Sequence, residues 1–407
     1  MSLTNTFSAL SRRGFTSGNA GWYQIQQIIP DSGDVFYFSP YHKIAITSDG
    51  NYWVTHVNSS PADLWSSLYV YIKSGTTWIR QATITLPTGF FGGPVSISIN
   101  DAGDTILVSA SSSAFTSTGG VYVYTRIGGV WSLQSTLIPP GRVGLATVSL
   151  DSSGNYAAIG QETVDTSPYT DNGAVYIYHR SGITWSLQAT LLASDRASGD
   201  FFGSSLEISK DSNYIVIGAM LKESGLPPPH SSTGRVYVFH RSGTSWTQQL
   251  NTSGSDPVVD HIPKGRGEGL SITNDGSKIV FTSSEAYPFQ WVFSRSGSTW
   301  TETILLNLNP TGLDALNLVS PSTLMTNDDN SITAIGFDKI QPTPSPPYIN
   351  GRFVVGIVEN NIVAQHLTKP SLIDFAYDVT IAKGADIILA GVSYTSPGSV
   401  FIYVKDP

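Results

Sequence analysis

The sequence predicts an all-β fold, a seven-bladed β-propeller of four-stranded antiparallel blades, its ring closed by pairing the N-terminal and C-terminal strands in one blade. Three observations carry this. A tryptophan-anchored hairpin recurs along the 407 residues, a second kind of hairpin recurs between its copies, and the chain ends are complementary halves of one missing hairpin. Repetition of this kind overrides the several domains that length alone implies.

Trp22, Trp78, Trp131, Trp185, Trp246 and Trp300 set the period. Before the last five stands an alternating strand and a turn: LYVYIKSGTTW, VYVYTRIGGVW, AVYIYHRSGITW, RVYVFHRSGTSW and QWVFSRSGSTW. Period-two alternation broken by a Gly-containing reversal reads as a β-hairpin. GRFVVGIVENNIVAQHL keeps that hairpin, with Asn360 and Asn361 at its turn, and lacks the tryptophan. Hairpins of the second kind, such as VSISINDAGDTILVSA and SLEISKDSNYIVIGA, place Asp, Asn or Gly between two strands, as a tight reversal requires. The orphan halves are GSVFIYVKDP at the C-terminus and GWYQIQQIIP, with Trp22 in register, near the N-terminus. Pairing them removes the open edges and uncovered apolar faces that a linear stack would have to cap. Residues 1–18 read as an N-terminal arm and 19–407 as the propeller.

Composition narrows the function. The net charge of −8 argues against a general nucleic-acid binder. The absence of cysteine excludes disulfides, thiolate catalysis and cysteine-ligated zinc. The opening MSLTNTFSALSRRGFTSG has no apolar core of the signal-peptide type, and no apolar run is long enough for a membrane-spanning helix. The expected location is a virion or extracellular surface, reached without a cleavable signal and without membrane insertion.

The repeats resemble the FG-GAP family, whose blades occur in integrin α-subunit heads and in bacterial and viral surface proteins. Phe202 and Gly203 stand where the family has FG, and Gly218 and Ala219 where it has the GA of GAP. Phe91 and Gly92 repeat the first element, while Ser109 and Ala110 approximate the second. The resemblance implies a propeller. Its bearing on activity is slight, because propellers host many unrelated functions.

The resemblance also raises calcium, since many FG-GAP blades carry a D-x-D-x-D-G loop. A hard cation needs about six oxygens, and no turn here has three alternating acids; Asn100, Asp101 and Asp104 come nearest. The expectation is no metal and no cofactor. Lys73, Arg126, Arg180, Arg241 and Arg295 recur in register before the outer turn, as either a basic girdle or a rim of arginine stems over aromatic strand residues. His179 and His240 share a repeat position with Thr125 and Ser294, which reads as structural. SRSGSTW resembles the Asp box of sialidase-like propellers but lacks its Asp and is one residue short. G-x-S-x-G, H-E-x-x-H and the phosphate-binding glycine loop are absent. The chain is expected not to be an enzyme.

The faces should differ. Turns within the hairpins are short and uniform, whereas the connections on the opposite face are long and irregular: QETVDTSPYTDNG, KESGLPPPHSSTG, NTSGSDPVVDHIPKGRG and DKIQPTPSPPYING. Variable loops on a rigid scaffold are the usual place for a binding surface. The candidates there are Asp165, Tyr169, Asp171, His230, Asp260, His261, Tyr287 and Tyr348. The arm offers Phe7, Leu10, Arg12, Arg13 and Phe15 as a docking segment. The expected function is a non-enzymatic structural and recognition propeller in a multi-protein assembly, a virion or phage-tail component that mediates protein–protein or host-surface attachment. Its expected partners are other subunits, a host-surface protein or a glycan. An extracellular adhesin or lectin, and then a glycosidase-like propeller, are the rival readings.

Overall fold

The computed structural model describes residues 21–36, 44–58, 66–87, 94–110, 120–140, 146–222, 234–253, 269–282, 289–308, 316–328, 331–342, 353–359, 362–369, 376–392 and 398–405. Among these there is no helix, and the strands form seven four-stranded antiparallel sheets. Strand β1 (Trp22–Ile28) comes first. Blade 1 follows, with β2 (Ala45–Ile46), β3 (Tyr52–Asn58), β4 (Ser66–Ser74) and β5 (Thr77–Thr85). Blade 2 is β6 (Pro94–Ile99), β7 (Thr105–Ala110), β8 (Gly120–Ile127) and β9 (Val130–Leu137). Blade 3 is β10 (Ala146–Leu150), β11 (Tyr156–Gln161), β12 (Ala174–Ser181) and β13 (Thr184–Leu191). Blade 4 is β14 (Phe202–Ile208), β15 (Tyr214–Ala219), β16 (Arg235–Ser242) and β17 (Ser245–Thr252). Blade 5 is β18 (Leu270–Ile272), β19 (Lys278–Thr282), β20 (Phe289–Ser296) and β21 (Thr299–Asn307). Blade 6 is β22 (Leu316–Thr326), β23 (Ile332–Pro342), β24 (Phe353–Glu359) and β25 (Ile362–Lys369). Blade 7 is β26 (Ala376–Ile381), β27 (Ile387–Val392) and β28 (Ser399–Lys405), with β1 as its outer strand.

The predicted closure is observed. β1 pairs antiparallel with β28, Trp22 opposite Lys405 and Ile28 opposite Val400. The inner strands touch in cyclic order, β2 to β6, β10, β14, β18, β22, β26 and back to β2.

The core lies between blades. Successive side chains of a strand point to opposite neighbours, so Trp53 packs against blade 7 while Val54 packs against blade 2. Strands buried on both faces read as near-continuous apolar runs; every residue of β15, YIVIGA, is buried. Inner edges are closed by side chains of the neighbouring blade. Ser98 accepts the Leu150 amide (3.0 Å), Ser149 the Ile208 amide (3.2 Å), and Glu207 the Ile272 amide (3.0 Å). An edge that would otherwise present unpaired amides to the central channel is thereby satisfied.

Candidate functional site

Among the described residues, the variable face is built by loops over blades 3 and 4. The loop leaving β11 is held by Asn172, whose Oδ1 accepts the Thr166 amide (2.8 Å) and whose Nδ2 donates to Thr166 Oγ1 (2.7 Å). Asp165 accepts the Asp171 amide at 2.8 Å. This loop is braced against the connection to blade 4. The Gly199 amide donates to Thr170 O (2.9 Å), the Thr170 amide to Ser198 Oγ (3.1 Å), and the Phe201 amide to Asp171 O (3.2 Å). Asp171 and Phe201 have φ of 49° and 56°, a left-handed conformation costly for side-chain-bearing residues. The braces hold both there.

Beneath the loops lies a buried ion pair. Lys222 Nζ is 2.9 Å from Asp200 Oδ2, with 9% and 2% of the two side chains exposed. Lys222 also donates to the Asp195 carbonyl. Burial pushes the Asp195 carboxyl up, but the Asn251 amide, the Tyr237 hydroxyl and the cations Lys222 and Arg235 outweigh it and hold it below the usual carboxylate range. Above this base, the Arg196 guanidinium stands 5.6 Å from the centre of the Tyr169 ring. Asp165, Tyr169 and Asp171 are therefore brought together on one rigid platform, as three of the candidates read from sequence. His230, Asp260, His261, Tyr287 and Tyr348 lie outside the described residues, as do Phe7, Leu10, Arg12, Arg13 and Phe15 of the arm.

The motif residues sit under this platform and work by close packing. Phe202 is fully buried, its ring 5.3 Å from Tyr237 in an edge-on contact. Gly203 (φ +91°) passes so near Gly160 that a Cβ on Gly160 would stand 2.3 Å from the Gly203 carbonyl. Thr147 Oγ1 donates to that same carbonyl at 2.8 Å, tying blade 3 to blade 4. Residues 185–239, from the outer strand of blade 3 through most of β16, match the FG-GAP repeat family model. The chain is a seven-bladed β-propeller that carries an FG-GAP repeat. No curated protein matches it. In this propeller the motif residues lock neighbouring blades together.

The turn face has different roles for its charges. Asn100 Oδ1 accepts the amides of Asp104 (3.1 Å) and Thr105 (2.9 Å), closing its own turn. Asp101 instead points inward and accepts from Ser48 Oγ (2.8 Å) and Lys210 Nζ (2.9 Å). The three nearest calcium candidates thus do not converge. Among the described residues no group of three His, Asp or Glu side chains could hold a metal. The recurrent cations are engaged with the scaffold. Arg126, Arg241 and Arg295 lie over Tyr52, Tyr156 and Tyr214 of the preceding blade at 4.6, 4.6 and 4.3 Å, while Arg180 bonds Asn155 (3.0 Å). Lys73 lies 5.1 Å over Trp78 of its own blade.

The central channel holds a cavity of about 100 Å³ lined by all seven inner strands. At the turn end it is crossed by ion pairs, Lys210–Asp101 (2.9 Å) from blade 4 to blade 2 and Lys383–Glu207 (2.6 Å) from blade 7 to blade 4. Sequence reasoning missed these pairs, because Asp101, Lys210 and Lys383 stand at one repeat position, shared with Ser48 and Ser152, and Glu207 stands where Ser98 and Ser149 do, so no single repeat displays a pair. It also missed that Gln81, Gln134, Gln188 and Gln249 accept the indole N–H of Trp131, Trp185, Trp246 and Trp300 in the next blade. That signal was present: glutamine stands three residues after tryptophan in four blades.

Proposed function

We propose that this propeller is a non-catalytic recognition subunit of a multi-protein assembly, a virion or phage-tail component that contacts its partner or the host surface through the loops over blades 3 and 4. The observation that supports this reading most directly is the braced platform itself. A loop of blade 3 and the connection from blade 3 to blade 4 hold two strained residues, Asp171 and Phe201, to present an aromatic ring, a guanidinium and two exposed carboxylates. Backbone strain kept by cross-bracing favours a pre-organised surface over a tolerated insertion. Tyrosine and arginine are the residues most often found to dominate protein contacts.

The test is particle association. Particles from a host expressing Tyr169→Ala with Arg196→Ala should retain about tenfold less of the protein, or attach to host cells about tenfold less, than the wild type. Circular dichroism should show the same fold. Full incorporation and full attachment by the double variant would sink the proposal. A half-buried tyrosine beside exposed carboxylates also suits sugar hydroxyls, so a glycan array probed with both proteins distinguishes a glycan from a protein partner.

A further inference from the structure

We infer that the outer rim of blades 2 and 3 is an interface between two copies of this chain. The repeat supplies its own control. At the tip of the outer hairpin, blades 1, 4 and 5 read SGTT (74–77), SGTS (242–245) and SGST (296–299). Blade 2 reads IGGV (127–130) and blade 3 reads SGIT (181–184). Two residues beyond the tryptophan, blades 1, 4 and 5 have Arg80, Gln248 and Glu302, whereas blades 2 and 3 have Leu133 and Leu187. The aliphatic side chains are open to solvent: Ile127 is 79% exposed, Ile183 77%, Val130 69%, Leu133 46% and Leu187 41%. Three sister blades fold with polar residues at these positions, so packing within a blade does not call for the apolar ones. They lie on adjacent blades, whose outer strands touch through the Trp185–Gln134 hydrogen bond (3.0 Å). A concentration of exposed apolar side chains of this kind marks an interaction surface.

The occupant follows from charge and from the edges. β9 and β13 are the outermost strands of their sheets. Their sequences, VWSLQSTL and TWSLQATL, contain none of the charges or prolines with which edge strands are normally protected. Each copy of the chain carries a net charge of −8, so most approaches between copies set like charges together. This strip is uncharged and escapes that repulsion. A two-fold axis brings the same edges of both copies together, so each copy supplies the unprotected strand that the other pairs with, as a self-complementary interface requires.

Sedimentation velocity of the full chain, from low to high micromolar concentration and at low and high salt, tests this. The expected result is a monomer–dimer equilibrium that salt leaves unchanged or strengthens. Leu133→Lys with Leu187→Lys should weaken dimerisation about tenfold or more, and Gln248→Lys, the matching position of blade 4, should leave it unaltered. If the lysine pair fails to fold, Leu133→Gln with Leu187→Gln carries the same expectation, since blade 4 folds with that residue. A wild type that stays monomeric throughout overturns the inference. So does a dimer that survives the paired substitution, or one that Gln248→Lys disrupts equally.

Discussion

Asp101 is a turn residue by sequence and a channel residue by structure. Its carboxylate accepts from Ser48 of blade 1 and Lys210 of blade 4. Burial raises its pKa, yet Lys210 and the hydroxyls of Ser152 and Ser48 bring it below the ordinary 3.8. A carboxyl depressed in the folded state adds stability that is complete above the ordinary value and is lost as pH falls through the lower one. Asp101→Asn should therefore cost about 1–2 kcal/mol at neutral pH. Its stability should also fall less steeply than that of the wild type once pH drops below 3.8. Thermal unfolding followed across that range reads both effects. Asp328 works the other way. Burial raises its carboxyl above the usual range, with Lys383 only partly offsetting it. Asp328→Asn should raise the neutral-pH midpoint, and the gain should shrink as the pH falls through the raised value.

The outer hairpin shows why a short sequence word carries structural meaning. In every blade the pairing of the third and fourth strands skips one residue of the outer strand. In blades 1 to 4 the skipped residue is Gln81, Gln134, Gln188 or Gln249, the glutamine that meets the next tryptophan. A bulge leaves its extra residue out of the ladder and re-aims its side chain. The indole N–H of a half-buried tryptophan thus finds an acceptor in the adjacent blade, and the blades are tied at the rim as well as in their cores. A double-mutant cycle on Gln134→Leu and Trp185→Phe should give a coupling of about 0.5–1.5 kcal/mol in urea unfolding. Strict additivity would show that the 3.0 Å contact adds nothing. Strands, turns and tryptophan period were legible because each is a local pattern repeated many times. The bulge was not, since skipping one residue changes pairing without changing the alternation around it.

At the scale of the whole molecule, one junction differs from the other six in being made between chain ends. Trp22 is buried against blade 6, and its indole donates to Glu359 (2.8 Å), which Lys405 of blade 7 also approaches at 3.4 Å. Trp22→Ala should cost about 3–5 kcal/mol. The loss of amide-exchange protection should concentrate in β1, β26, β27 and β28 and leave blades 2 to 4 protected. An even loss across all blades would mean that the ring opens as one unit and that closure is not its weak point.

The sequence by itself determined the number of blades, the complementary ends and the placement of Asp165, Tyr169 and Asp171 on the variable face. Those depend on periodicity and turn chemistry, which are local and repeat. Only the tertiary structure decided what the charges do. Whether Arg126 faces a partner or lies over Tyr52, and whether Asp101 holds a cation or meets Lys210, depends on which side chain the neighbouring blade brings within a few ångströms. It also decided that Ile127 and Ile183 stand open to solvent, because burial belongs to the assembled ring and a strand's own pattern cannot record what its neighbour leaves uncovered.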